Sequence, residues 1–103
     1  MTENQYQSKL IRKLKRMFPD CVILKNDPSY QQGMLDLTIL WNDRWASLEV
    51  KASESAPEQP NQGYYIELLD GMSFAARIYP ENEEEVLNAL QQAFESPRGA
   101  CVS

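Results

Sequence analysis

Apolar residues recur at intervals of three and four positions near the start of the chain. Between residues 2 and 17 this spacing predicts an amphipathic helix, because side chains three and four apart share one helix face. Thr2 and Gln5 have the spacing of a capping box, which would start this helix. Its predicted buried stripe is Tyr6, Leu10, Leu14 and Met17.

Shorter segments with apolar runs or alternating apolar and polar residues predict four β-strands. These segments are residues 21–25, 34–41, 44–51 and 72–79. Asn42 and Asp43, between the second and third segments, are typical of a tight hairpin turn. The two middle strands are therefore predicted to pair with each other.

Two further helices are predicted by their terminal residues and apolar spacing. Pro60 suits the first turn of one helix, and Gly71 suits the position just after its end. Asn82 and Glu85 have capping-box spacing at the start of the other, which is predicted to end near Phe94. The resulting order, αβββαβα, favours an α/β fold in which a mixed sheet is flanked by helices.

The composition limits the compartment and the chemistry. A chain of 103 residues is expected to form one domain, with a core over residues 3–95 and a flexible tail over 96–103. It has no long apolar segment, no leader-like start and only two cysteines, which favours a cytoplasmic protein without membrane contacts. Because histidine is absent, any metal should be held by oxygen, which favours Mg²⁺ or Mn²⁺.

The charge is distributed unevenly, although the net value of −5 is acidic. Residues 1–51 hold eight Lys and Arg against six Asp and Glu, whereas residues 52–103 hold two against nine. The first half could therefore face a polyanion while the second half faces water. The same pattern would also arise from two helices that are solvated differently.

The hairpin carries the chemically informative residues. If Asn42 and Asp43 alone form the turn, Asp36 falls opposite Glu49, and Lys51 shares their face of the sheet. A turn at positions 43–44 would pair Asp36 with Lys51 and keep the three together. A three-residue turn would place Asp36 opposite the next residue of the partner strand and separate them.

Two opposed carboxylates repel each other unless a cation lies between them. A divalent cation bound there would acidify a water molecule and stabilise charge on a phosphate under attack. Lys51 could hold the attacking water or a phosphate oxygen. The alternative is a cross-strand salt bridge on an exposed sheet face.

The motif Gly33-x-x-Asp36, followed by Glu49-x-Lys51, resembles the PD-(D/E)XK nuclease superfamily. The resemblance is greatest to its virus-type replication-repair nuclease branch (VRR-NUC), and next to the Holliday-junction resolvases. It implies a restriction-endonuclease-like αβββαβ core over residues 3–79, with an additional C-terminal helix. The chain departs from the motif at Leu35, where the family has proline.

The resemblance also implies an activity: Mg²⁺- or Mn²⁺-dependent hydrolysis of DNA phosphodiester bonds. By this resemblance Asp36 and Glu49 bind the metal, helped by the Val50 carbonyl and by Glu3 on the first helix. Lys51 and Gln62 complete the catalytic set, with Gln59 as the alternative glutamine. Branched DNA as the substrate and a homodimer as the assembly are implied by the same relatives.

A set of side chains outside the hairpin is predicted to contact DNA. It comprises Lys9, Arg12, Lys13, Arg16 and Tyr30. The cations would bind phosphates and the tyrosine could stack on a base, although an ordinary solvated helix face has the same composition. Two other functions stay open: a non-catalytic acidic binding or DNA-mimic module on a nuclease-like scaffold, and a restriction-type nuclease that reads a sequence.

Overall fold

The fold was determined as a computed structural model, which describes residues 1–27 and 33–96. Tyr30 and most of the predicted tail lie outside these residues. The elements are α1 (Glu3–Met17), β1 (Val22–Lys25), β2 (Leu37–Trp41), β3 (Arg44–Val50), α2 (Gln62–Met72), β4 (Phe74–Ile78) and α3 (Glu83–Glu95). A short 3₁₀ turn, Pro80–Asn82, precedes α3.

The four strands form one sheet in the order β1-β2-β3-β4. The first two pairings are antiparallel, and β3 pairs with β4 in parallel. A parallel pair needs a crossover connection, which α2 provides. The predicted α/β class, the mixed sheet and the αβββαβ order with an additional C-terminal helix are confirmed.

The hydrophobic core lies between one face of the sheet and the helices α1 and α3. Leu37 and Ile39 of β2 are fully buried there, as are the alternate residues Ala46, Leu48 and Val50 of β3. Leu10 and Leu14 of α1 and Leu90 of α3 pack against them with no exposed surface. α1 begins with the predicted capping box between Thr2 and Gln5.

Several predicted boundaries are wrong. α2 begins at Gln62, and it continues through Gly71 to Met72, which was predicted to lie in the following strand. Gly71 has open space around its Cα and is not needed at a helix end; the Ser73 N–H closes the helix on the Leu69 carbonyl.

The second predicted capping box is also wrong. Asn82 precedes α3 but makes no side-chain cap there. Its side chain accepts a hydrogen bond from the Tyr79 N–H and donates one to the Arg77 carbonyl, so it is not available to Glu85.

β1 forms one edge of the sheet among the described strands, and its outer surface is apolar. Val22 and Leu24 are about half exposed, at 51% and 47%, and Leu40 on the neighbouring strand is 39% exposed. β1 is only four residues long and ends at Lys25. None of the helices within residues 1–27 and 33–96 combines the length and the hydrophobicity of a membrane-spanning segment.

Glu83 links the first and last helices. It accepts a hydrogen bond from the Tyr6 hydroxyl at 2.8 Å and forms an ion pair with Lys13 at 2.6 Å. Burial raises the pKa of Glu83, but the hydrogen bonds from Lys13 and Tyr6 outweigh it, so the pKa is lowered. Burial and the same carboxylate raise the pKa of Tyr6.

Replacing Glu83 with glutamine is expected to lower the free energy of unfolding by about 1–2 kcal/mol at neutral pH, since the ion pair with Lys13 is removed. Because the folded-state pKa is depressed, the contribution of Glu83 is present above its unfolded-state pKa and is lost as the pH falls through the folded-state value. Denaturant unfolding over the acid range should show the difference vanish. Glu84→Gln, an exposed neighbour on the same helix, is the matched control and should resemble the wild type.

Candidate active site

The hairpin register sets the position of every side chain at the site. Asn42 occupies the left-handed region, with φ of 55°, and the two-residue turn pairs Trp41 with Arg44. The ladder continues to the pair Leu37 and Leu48, which confirms the predicted register. Asp36 lies one place beyond that pair, just before β2.

Asp36 is held at the end of the hairpin by a backbone donor. Its Oδ2 accepts a hydrogen bond from the Val50 N–H at 2.7 Å, while its own carbonyl accepts one from the Asn26 N–H. The side chain therefore has a defined direction although it lies outside the strand ladder.

A cavity of about 400 Å³ opens beside this carboxylate. Five polar side chains contribute to its lining, and four of them belong to the predicted catalytic and metal-binding set. The polar residues are Glu3, Asp36, Lys51, Gln59 and Gln62. The structure thus brings the start of α1, the hairpin and the start of α2 to one place, and a concave pocket with a few convergent polar groups is the usual form of a small-ligand site.

Gly33 allows the start of the hairpin to lie close to the start of α2. It has a φ of +88°, and a Cβ at this position would lie 2.6 Å from the Asn61 Cβ and 2.8 Å from the Pro60 carbonyl oxygen. Only glycine fits that close approach without displacement of the backbone. The start of the hairpin therefore packs closely against the start of α2, beside the cavity that both line.

Gln62 is buried at the first position of α2 and lines the same cavity. Its Oε1 accepts a hydrogen bond from the Gln59 N–H at 2.8 Å. The Nε2 end is consequently the end that can donate to another group. Gln59, the alternative glutamine, lines the cavity as well.

The alternative of a cross-strand salt bridge assumed an exposed sheet face, but Glu49 is not exposed. Its side chain is completely buried, and it does not contribute to the cavity lining. Its Oε2 accepts a hydrogen bond from Arg77 Nε at 2.7 Å. Its Oε1 is buried and has no hydrogen-bond partner among the described residues.

Arg77 was not included in the predicted site. It is the parallel register partner of Glu49 on β4, and its other end pairs with Glu58 of the loop between β3 and α2. The one sequence signal for it was its alternation with the apolar residues of its strand, which places it on the same side as the polar residues of β3.

The two carboxylates could each give one oxygen to a cation. Asp36 uses Oδ2 and Glu49 uses Oε2 in hydrogen bonds, and Glu49 Oε1 is buried without a hydrogen-bond partner among the described residues. A buried oxygen without a donor is unusual in a folded protein, and carboxylate oxygens are the ligands that Mg²⁺ prefers. The chemistry of these oxygens suits a divalent cation, but Glu49 does not line the cavity that Asp36 lines, and residues 1–27 and 33–96 contain no group of three or more candidate side-chain ligands.

The electrostatics of the site combine burial with one nearby cation. Burial raises the pKa of Asp36, and the Val50 N–H and the charge of Lys51 only partly offset it. Lys51 is itself buried, with only 5% of its surface exposed. A buried cation next to a partly buried carboxylate is an arrangement found more often at functional sites than on ordinary surfaces.

The predicted DNA-contacting cations of α1 differ in their surroundings. Lys9, Arg12 and Arg16 are exposed, whereas the Lys13 ammonium is paired with Glu83. Glu3, the predicted additional ligand, is exposed on the first turn of the same helix and borders the cavity.

Comparisons with protein families, with curated proteins and with solved structures found no match. The interpretation of the site therefore depends on its own geometry and chemistry.

Asp36→Asn is expected to stabilise the metal-free protein at neutral pH. Because the folded-state pKa of Asp36 is raised, the folded state binds the proton more tightly than the unfolded state does. Stability should therefore fall as the pH rises from the ordinary carboxyl range through the raised value. Asparagine can still accept the Val50 N–H and has no charge to bury.

Denaturant unfolding in EDTA across this pH range provides the measurement. Asp20→Asn removes one exposed carboxylate and controls for net charge. If Asp36→Asn is less stable than the wild type at neutral pH, that result would contradict a raised pKa of Asp36 in the folded state.

Proposed function

We propose that this chain is a divalent-metal-dependent endonuclease that hydrolyses DNA phosphodiester bonds. The observation that carries the proposal is the shared cavity of Asp36, Lys51, Gln62 and Glu3, residues from three separate segments. Their convergence supports a functional site more strongly than the spacing in the sequence does. A motif that arose by chance would not be expected to lie beside the first turns of two helices.

A bound Mg²⁺ or Mn²⁺ supplies Lewis-acid polarisation of the phosphate and an acidified water. The carboxylates of Asp36 and Glu49 would hold it, Glu49 through its unpartnered Oε1, with the Val50 carbonyl and Glu3 as further oxygen donors. Holding the metal is the role of these residues, and the absence of histidine agrees with an all-oxygen site.

The remaining polar side chains act on the phosphate. The Lys51 ammonium stabilises negative charge that develops on a phosphate oxygen, and its burial makes that interaction stronger than it would be in water. The Gln62 Nε2 donates to a phosphate oxygen or to the attacking water, since its Oε1 is already bonded to the loop.

Branched DNA is the proposed substrate, and a homodimer is the proposed active assembly. A chain of 103 residues covers a short length of duplex, and two copies related by a two-fold axis would present two sites to one junction. Both parts of the proposal come from the resemblance to junction-cutting nucleases.

A second function, a non-catalytic binding module, is favoured by one specific observation. Arg77 already provides Glu49 with a cation, and Glu49 is outside the cavity lining. A scaffold without catalysis could use Glu49 and Arg77 as a structural ion pair, and the net charge of −5 suits an acidic DNA mimic. Metal binding distinguishes the two functions.

The nuclease proposal predicts metal-dependent cutting of a labelled four-way junction, a flap or a linear duplex, with none in EDTA. Lys51→Met is expected to lower the cleavage rate at least about 100-fold, because it removes a charge that acts in the transition state. It should leave Mn²⁺ binding, measured by calorimetry, no weaker than in the wild type. Asp36→Asn should abolish both.

Lys15→Met, an exposed lysine on α1, is the matched control and should cut at the wild-type rate. A folded wild-type protein that neither cuts any of the three substrates nor binds Mn²⁺ would rule out the enzyme and support the binding module.

The helix α1 predicts a difference between cations in DNA binding. In EDTA, Lys9→Gln and Arg12→Gln should each weaken binding and lower the slope of log affinity against log salt by about 0.9 for each phosphate that is no longer neutralised. Lys13→Gln makes the same charge change, but its ammonium is held by Glu83, so the slope should not change. Fluorescence anisotropy over a salt series provides the measurement, and equal effects in all three variants would show that only net charge matters.

A further inference from the structure

Arg77 connects three parts of the molecule that are distant in sequence. It projects from β4, bonds Glu49 of β3 through Nε, and pairs with Glu58 of the loop through its terminal nitrogen. Glu49 and Arg77 are direct partners in the parallel ladder, so their side chains lie on the same side of the sheet. Two of the three side chains are shielded, since Glu49 is fully buried and Arg77 is 30% exposed.

The guanidinium binds only one oxygen of Glu49. A guanidinium and a carboxylate often form two parallel hydrogen bonds, but here the terminal nitrogen of Arg77 is directed to Glu58 instead. Glu49 Oε1 is thereby left buried and without a donor among the described residues. A cation or an ordered water molecule would satisfy it.

We propose that Arg77 is a positioning residue for Glu49 as a metal ligand, an inference that rests on the proposed function. Arg77 fixes the carboxylate through Oε2 and leaves Oε1 for the metal. Glu58 holds the guanidinium in the orientation that prevents it from taking both oxygens. Groups that hydrogen-bond a ligating side chain orient it, and their removal typically lowers metal affinity about 10- to 100-fold.

Arg77 also has an effect that would lower the metal affinity rather than raise it. As a cation it repels a nearby metal ion, so an arginine that merely competed with the metal for Glu49 would weaken binding. Removal of Arg77 would then raise the metal affinity. Positioning and competition therefore predict opposite changes in one measurable quantity.

The experiment compares Mn²⁺ binding to the full chain by calorimetry, together with the electron paramagnetic resonance spectrum of bound Mn²⁺. Arg77→Met should weaken binding about 10- to 100-fold and alter the spectrum. Arg77→Lys retains the charge but not the planar fork, so it should weaken binding less. Glu58→Gln should weaken binding less than either arginine variant, and Glu54→Gln, an exposed carboxylate on the same loop, should have no effect.

Thermal unfolding of each variant separates positioning from a general failure to fold. Arg77→Met leaves Glu49 buried without its cation, and if this variant does not fold, Arg77→Lys decides the question. A folded Arg77→Lys that binds Mn²⁺ as tightly as the wild type, or a folded Arg77→Met that binds more tightly, would overturn the inference.

The proposed function can fail separately. Wild-type binding that Asp36→Asn abolishes, but that neither arginine variant changes, keeps the nuclease proposal and rejects the role of Arg77. No Mn²⁺ binding by the wild type rejects both.

Discussion

The register between β2 and β3 is the constraint on which the site depends. Asn42 takes the left-handed conformation that a two-residue turn needs, and the turn pairs Trp41 with Arg44. A slip of one residue would exchange the faces of a strand and turn Leu37 and Ile39 away from the core. Core packing and site geometry therefore select the same register.

Much of the hairpin could be predicted because it is local. Turn residues and strict alternation determine which side chains share a face, and they predicted a shared face for Asp36 and Lys51, which both line the cavity. The packing of the hairpin against α2 could be predicted from the sequence only in part, from Gly33 and Gln62. Alternation in β4 indicated the face of Arg77 but not its partner, since the register of a parallel pair depends on the length and path of the crossover.

The burial of Glu49 shows what sequence patterns cannot supply. β3 is a central strand whose residues from Ala46 to Val50 are buried on both faces, so even its polar face is enclosed. Removing one member of a buried ion pair leaves the other uncompensated, which makes Glu49 and Arg77 mutually dependent. The errors at Gly71 and Asn82 have a different origin. Each residue type suits a helix end, but hydrogen bonds between nearby residues, from the Ser73 N–H to the Leu69 carbonyl and from the Tyr79 N–H to the Asn82 side chain, take the place of the predicted caps.

The exposed apolar edge at β1 has a consequence for the protein in concentrated solution. An edge strand presents unpaired backbone donors and acceptors, and apolar side chains such as Val22 and Leu24 make it a template for pairing with another chain. Two features limit this tendency: the strand offers only four residues, and it ends at a charged lysine. Among the described strands, self-association by strand pairing is therefore favoured at β1, the edge of the sheet opposite β4 and away from the candidate site.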